Sequence, residues 1–488
     1  METNPVAWQF LASEARPPVV RDIRSDLQLF FDEWLIDGMA GARLKLHPPI
    51  EREVVMEYNK PWEGETSGVG VTVFKDGPKY RMWYASGNDH TDDDGKKGKG
   101  KKPKLRVRWS GYAESTDAVH WERPELGLIE FEGSKANNLM MNADMGWNLS
   151  PFIDGHPEPR YPGNYKALVR LSRDERYDMK ALLRGYTSDD GVHWSMIDKD
   201  PLIEAPPGYM PRFDSPMSVF WDSRRAMYVA YMRGVVPPGK TRTIRRSVST
   251  DFRNWSVPEE IDLGDSPTEE LYMSAATPYF RAPGVYVSFP KRYAAKRTPQ
   301  PGAQSKGVSE TCFMASRDGV SFRRYFMEAI IKPGPDIMNW YKHNTMVATG
   351  ILETGPAEIS LYAVEYHGSP AVRLRRYTAR TDGFTSAGTG YGGGEMMTKP
   401  FTFEGDTLVI NYSTSVVGSM RAELQDREGR AVEGFKLEDC EEIYGDEIER
   451  VVKWKGGTLS DFQHQPVRLR FAMSKETDLY SIRFRNAT

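Results

Sequence analysis

The 488-residue chain is poor in the residues that staple, span or ligate. Its two cysteines, Cys312 and Cys440, are too few for a disulfide framework or a cysteine-built zinc site. Its eight histidines form no His-Glu-x-x-His pattern, and no phosphate-binding glycine loop opens a helix, so neither a metal nor a cofactor is expected. No apolar run approaches the roughly 18 residues that a spanning helix needs, so no membrane partner is expected. Sixty-five Lys and Arg stand against 68 Asp and Glu, a net charge of −3 that exerts no overall pull on nucleic acid. The lysine-rich stretch at 96–104 has no interleaved aromatics and reads as a solvated loop, and Asp92, Asp93 and Asp94 beside it make a poor preformed metal cage. The opening METNPVAWQFLASEARPPVV has no basic segment leading into an apolar core. A cytoplasmic location is therefore expected, or a periplasmic or secreted one if the start has been trimmed.

What the chain does have is aromatics at 12%, 43 glycines and 33 prolines, a composition that favours strands and turns. The turn SDDGVHW at 188–194 recurs as Ser-x-Asp-x-x-x-aromatic at 115–121, 249–255 and 316–322, with a degenerate fifth copy at 380–384. Ser and Asp side chains stabilise such a turn by bonding nearby backbone amides, and the aromatic that ends it anchors the hairpin between sheets. The box aspartates, Asp117, Asp190, Asp251, Asp318 and Asp382, are 61 to 73 residues apart, a length that suits a four-stranded sheet with its loops.

Each box follows an aromatic strand-like run: YRMWYAS at 80–86, YKALVRL at 165–171, MYVAYMRG at 227–234, VYVSFPKRY at 285–293 and EISLYAVEY at 358–366. Another run ending in a turn precedes each of these. Five such units predict an all-β fold, a five-bladed β-propeller over 1–384. Beyond it, SAGTGYGGGE at 386–395 reads as a linker, and alternation such as Met420, Ala422, Leu424 and Val467, Leu469, Phe471 predicts a β-sandwich over 385–488. Polar insertions at 91–104 and 294–307 are expected to be mobile.

In a propeller the innermost strands line a channel and their starting ends meet at one mouth. The residues that begin them are Trp62, Glu63 and Glu65; Trp147 and Asn148; Arg212 and Asp214; Glu269, Glu270 and Tyr272; and Trp340 and His343. Carboxylates converging there, with Trp62, Trp147, Tyr272 and Trp340 as platforms for sugar faces, match the paired acids of glycosidic bond cleavage. Asn148 is a further substrate-binding candidate, and His343 has two readings, a partner for a substrate hydroxyl or a satisfied structural histidine.

The segments LFFDEWLID, PWEGE, SPFIDGHPEPRYPGNYKAL and ELYMSAATPYF, with the C-terminal sandwich, resemble proteins related to the five-bladed glycoside hydrolases of the invertase, levanase and arabinanase group. That group's Asn-Asp-Pro-Asn and Arg-Asp-Pro motifs are absent. The resemblance implies three acids, acting as nucleophile or base, orienting acid and proton donor. By blade position these are Glu63, Asp214 and Glu270, with Asp32, Glu65 and Glu269 as weaker candidates. The boxes resemble those of sialidases, which bind a carboxylate through an arginine cluster. Arg170, Arg212, Arg233 and Arg292 near the same mouth have two readings: each neutralises one of the channel acids, or together they bind an anionic sugar, a uronate or sulfated unit, among the oligo- or polysaccharide substrates. A carbohydrate-binding propeller without catalysis and a polysaccharide lyase are the alternatives.

Overall fold

The computed structural model describes residues 8–10, 19–88, 107–142, 147–170, 182–204, 213, 216–236, 241–301 and 306–487. The chain divides into two compact units, Pro49–Thr378 and the pair of segments Met1–Pro48 with Ala379–Thr488. Both are built of strands. Among the described residues, helix is confined to short 3-10 turns such as Ile337–Asn339, and no helix is long and apolar enough to cross a membrane.

The Pro49–Thr378 unit is a propeller of antiparallel sheets that follow one another along the chain. The first sheet holds Thr72–Asp76, Lys79–Asn88, Val107–Ser115 and Leu139–Met141. The second runs from Trp147–Ile153 through Tyr165–Arg170 and Leu182–Ser188, and the third from Ser218–Asp222 through Met227–Val236 and Thr241–Ser249. The fourth is broken into two short sheets between Leu271 and Ile331, and the fifth contains Met346–Val347, Glu358–Glu365 and Arg373–Arg380. The fifth takes its outer strand, Ile50–Glu57, from the far end of the unit, so the two chain ends close the ring. Middle strands such as Met227–Val236 are buried on both faces, because each blade is covered by its neighbours, and so they read as near-continuous apolar runs. The closing strand is largely exposed.

The boxes make the joints between blades. In the second, Asp190 accepts hydrogen bonds from the backbone amides of Val192 and His193, both at 2.8 Å, and Ser188 Oγ accepts one from Gly191 at 2.9 Å. The residue after the aspartate is left-handed in all four boxes, Ala118, Gly191, Phe252 and Gly319, which is why glycine recurs there. Its carbonyl is exposed to the preceding blade. Tyr362 of the fifth sheet donates to Ala118 O at 2.7 Å, Trp83 of the first to Gly191 O at 2.8 Å, and Tyr231 of the third to Gly319 O at 2.6 Å. Phe252 instead packs its ring on Phe152 of the second sheet. The fourth and fifth sheets are joined by Ser309 Oγ on Asn344 O at 2.9 Å. The fifth returns to the first through Val73 N on Thr349 O at 2.8 Å. At that seam Gly350 passes so close that a Cβ would lie 1.9 Å from Val73 O.

Asp382 does not repeat this geometry. It is itself left-handed and buried, and its carboxylate accepts from Asn411 and from Ser481 inside the other unit. The sequence-level fifth box is a different turn.

Box chemistry makes the fold acid-sensitive. Burial raises the carboxyls of Asp117, Asp190 and Asp251, but the hydrogen bonds they accept outweigh it and hold all three well below the ordinary aspartate range. A depressed folded value means the stabilisation is complete above the unfolded value, near pH 4, and drains away as pH falls through the folded one. The thermal midpoint is expected to hold steady down to about pH 4 and decline below it, and calorimetry of D190N should give a shallower acid limb.

The second unit packs two sheets face to face. One contains Ile36–Ala40, Gly394–Thr398, Val467–Ser474 and Ser419–Asp426, and the other Thr407–Thr414, Thr477–Arg485, Thr385–Thr389 and Ala42–Leu46. Met420, Ala422, Leu424, Val467, Leu469 and Phe471 are all buried in the core between them. The boundary at 384/385 needs correction. Arg21–Arg24 pairs in parallel with Phe401–Phe403, and Phe30, Leu35 and Ile36 of LFFDEWLID sink into this sandwich core, so the chain's first segment belongs here and not to the propeller. The expected linker at 386–395 is largely strand, Thr385–Thr389 and Gly394–Thr398. Of the two insertions, 91–104 lies outside the described residues, whereas the described part of 294–307 is tied down by Gln300 N on Trp340 O at 2.9 Å and Gly307 N on Arg297 O at 3.2 Å. Cys312 and Cys440 are free and buried, one in each unit.

Candidate active site

The starts of the innermost strands carry two different kinds of carboxylate. Glu63 sits in a tight turn closed by Glu63 N on Lys60 O, and its side chain is sealed from solvent. Arg123 grips it with Nε on Oε1 at 2.9 Å and Nη2 on Oε2 at 3.1 Å, Tyr84 donates to Oε1 at 2.6 Å, and the Lys60 amide donates to Oε2 at 3.1 Å. Burial, then the Glu63 charge, pushes the hydroxyls of Tyr58 and Tyr84 well up. A carboxylate with four donors and no exposure has no lone pair to offer an anomeric carbon. Glu63 is a structural anchor, which corrects its assignment as a catalytic acid.

Glu65, two residues on, is half-buried and makes no ion pair among the described residues. Its carbonyl accepts from Gly368 N at 2.8 Å, which ties the entrance of the first blade to the turn of the fifth. Trp62 is also half-buried, with its indole N–H donated to Asn138 at 2.8 Å and part of its ring left open.

A cluster of charged and aromatic groups lies on the fourth blade. Strand pairing sets Tyr272 opposite Lys291 and Leu271 opposite Arg292. The pleat therefore sends Glu270, Tyr272, Lys291 and Tyr293 to one face and Glu269 and Arg292 to the other. On the first face the Tyr272 ring is clasped by Lys291 Nζ at 4.2 Å and by the guanidinium carbons of Arg233 and Arg242, both at 5.3 Å. Arg242 also lies over Tyr293, at 4.8 Å, and forms an ion pair with Glu270, whose side chain is 24% exposed. Lys291 is fully buried, with Nζ 3.0 Å from Lys342 O and 2.9 Å from His343 Nδ1. Burial first, and then the charges of Arg242, Arg233 and Lys342, hold its amine well below the ordinary lysine range. The His343 ring in turn lies 4.8 Å from that of His367, which adjoins the Gly368 bonded to Glu65. A continuous path of contacts thus runs from Glu65 through the two histidines, Lys291, Tyr272 and Arg242 to Glu270.

Several expectations change on this geometry. Tyr272 is buried beneath its cations and presents no face to a sugar. Arg292 is spent on the opposite face, on Glu310 and Glu269, where Arg324 completes the pairing of Glu269, so neither Arg292 nor Glu269 belongs to the cluster. Trp340 is exposed with its indole on Gly334 O at 2.9 Å, in the loop before the fifth blade. Asp32 lies in the other unit, accepting from Trp34 N at 3.2 Å. Arg170 is half-buried at the end of its strand, opposite Trp147 in register. Asp214 and Arg212 lie outside the described residues. Sequence reasoning missed Lys291, Arg242, Tyr293 and Arg123. The parity of KRY at 291–293 against LY at 271–272 would have found Lys291 and Tyr293.

No family model matches the sequence, and no curated protein matches it. Among solved structures, a glycoside hydrolase is similar over 69% of this chain and 93% of its own, at 13% identity and a TM-score of 0.45. A glycoside hydrolase family 43 arabinoxylan arabinofuranohydrolase from Bacillus subtilis is similar over 90% of this chain and 99% of its own, at 12% identity and a TM-score of 0.43. A Bombyx mori GH32 beta-fructofuranosidase is similar over 91% and 95%, at 11% and 0.38. Likeness at these scores assigns no role to any residue of this chain.

Proposed function

We propose that the Pro49–Thr378 unit is a glycoside hydrolase that cleaves an oligo- or polysaccharide containing an acidic sugar. The observation that carries the reading is the accessible Glu270–Arg242 pair, linked through Tyr272, Lys291 and the histidines to the half-buried Glu65. Glycosidic cleavage uses two carboxylates with different partners, one as proton donor and one as base or nucleophile. Glu270, held by a guanidinium, takes the role of base or nucleophile. Glu65, without an ion pair among the described residues, takes that of donor, and Asp214 remains a candidate for the orienting acid. Half-buried Trp62 supplies an apolar platform, and Arg233 and Arg242 supply forks for a carboxylate or sulfate. Incubating the full chain with arabinan, xylan, polygalacturonate and a sulfated galactan tests the reading. New reducing ends from the acidic polymers are expected. Cleavage of neutral polymers alone removes the acidic sugar, and an unsaturated product absorbing near 230 nm replaces hydrolysis by elimination.

A further inference from the structure

Asn148 is a buried amide that no described residue holds. It is the second residue of the innermost strand of the second blade, is 3% exposed, and among the described residues neither its Oδ1 nor its Nδ2 meets a hydrogen-bond partner. Its backbone is left-handed at φ 58°, and its own carbonyl accepts from Ser150 Oγ at 3.3 Å. The side chain borders the start of the first blade's inner strand. A Cβ on Gly70 would lie 3.7 Å from Asn148 Oδ1 and 2.7 Å from Pro216 of the third blade, so three blades meet around it. Two residues earlier, a Cβ on Gly68 would lie 3.0 Å from the hydroxyl of Tyr58, a second buried polar group with no hydrogen-bond partner among the described residues. Both glycines have positive φ, +78° and +77°, and neither puts a side chain against the orphaned group beside it, while Val69 between them packs on the core.

Backbone geometry alone does not account for this residue. Glycine adopts the left-handed region at less cost than asparagine and would bury no polar group, whereas an amide buried with both poles unbonded is unfavourable. A ligand that supplies an acceptor and a donor side by side removes that penalty. Adjacent hydroxyls of a sugar ring do so, since each hydroxyl both donates and accepts.

We infer that the Asn148 amide reads a pair of adjacent hydroxyls on the sugar bound at the mouth of the propeller, its Nδ2 donating to one and its Oδ1 accepting from the other. The inference rests on the glycoside hydrolase reading for the class of ligand only, and it is tested by binding. D-galactose, D-xylose, L-arabinose, D-mannose, D-galacturonate and D-glucuronate are titrated into the full chain by saturation-transfer NMR, with thermal midpoints recorded alongside. N148G, which keeps the left-handed backbone, is expected to weaken the best probe by about tenfold with its midpoint unchanged or raised. N148D, of the same size but without the donor pole, is expected to weaken it as well. The inference is overturned if no probe binds the wild type, or if both variants bind within twofold of it. A lowered N148G midpoint with unchanged affinity overturns it too, because the amide then holds only a buried water. Polymer cleavage with unaltered N148G binding sinks this inference and spares the proposed activity, and Asn148-dependent binding without cleavage does the reverse.

Discussion

Glu270→Gln is expected to lower kcat by about 10²- to 10⁴-fold on whichever acidic polymer the wild type cleaves, with substrate binding retained. The substitution keeps the size of the side chain and removes its charge, so Arg242 loses an ion partner but keeps an acceptor. Because the pair is partly exposed, little stability rides on it. Glu63→Gln supplies the contrast. There the carboxylate is sealed and gripped by Arg123, so removing its charge leaves a largely buried guanidinium unpaired, at a cost on the order of 3 kcal/mol, while kcat stays near that of the wild type. Initial rates beside denaturant titrations separate the two. If E63Q abolished turnover at intact stability while E270Q left it untouched, the roles of the two acids would have to be exchanged.

That contrast also marks where the sequence stops being legible. The boxes, the aromatic runs and the alternation around Met420 and Leu469 are local: a turn or a pleat needs only neighbours a few residues away. The propeller and the sandwich could therefore be read from the chain. Glu63 and Glu65 stand two residues apart in PWEGE, and their different fates turn on Arg123, which lies 60 residues from Glu63. The allegiance of LFFDEWLID was likewise hidden, since its segment pairs with strands near residue 400. Arg292 attracted attention as an arginine near the mouth, yet strand parity turned it away and put Lys291 there instead. Composition names the residue types that a site draws on, and register decides which copies reach it.

Replacing Lys166 with Met is expected to destabilise the propeller by about 3–5 kcal/mol, the loss typical when one member of a buried ion pair is removed. Lys166 and Asp154 lie almost wholly out of solvent, bonded to each other in the second blade. Asp154 also accepts from Tyr228 of the third blade at 3.1 Å and from His156 N at 3.0 Å. The ammonium faces the rings of Tyr228 and Phe252, at 5.9 Å and 6.0 Å, so the pair sits in the seam between two blades. Methionine fills the volume of the lysine stem, but it leaves a carboxylate buried with only neutral donors, and the seam must open to water or Asp154 must take up a proton. The double variant D154N/K166M removes both charges and is expected to recover more than half of the loss, which a packing defect would not allow. Denaturant unfolding followed by tryptophan fluorescence reads both effects. A K166M variant within about 0.5 kcal/mol of the wild type would mean that water reaches the seam, and the packing of the second blade against the third would then be looser than their shared aromatic core requires.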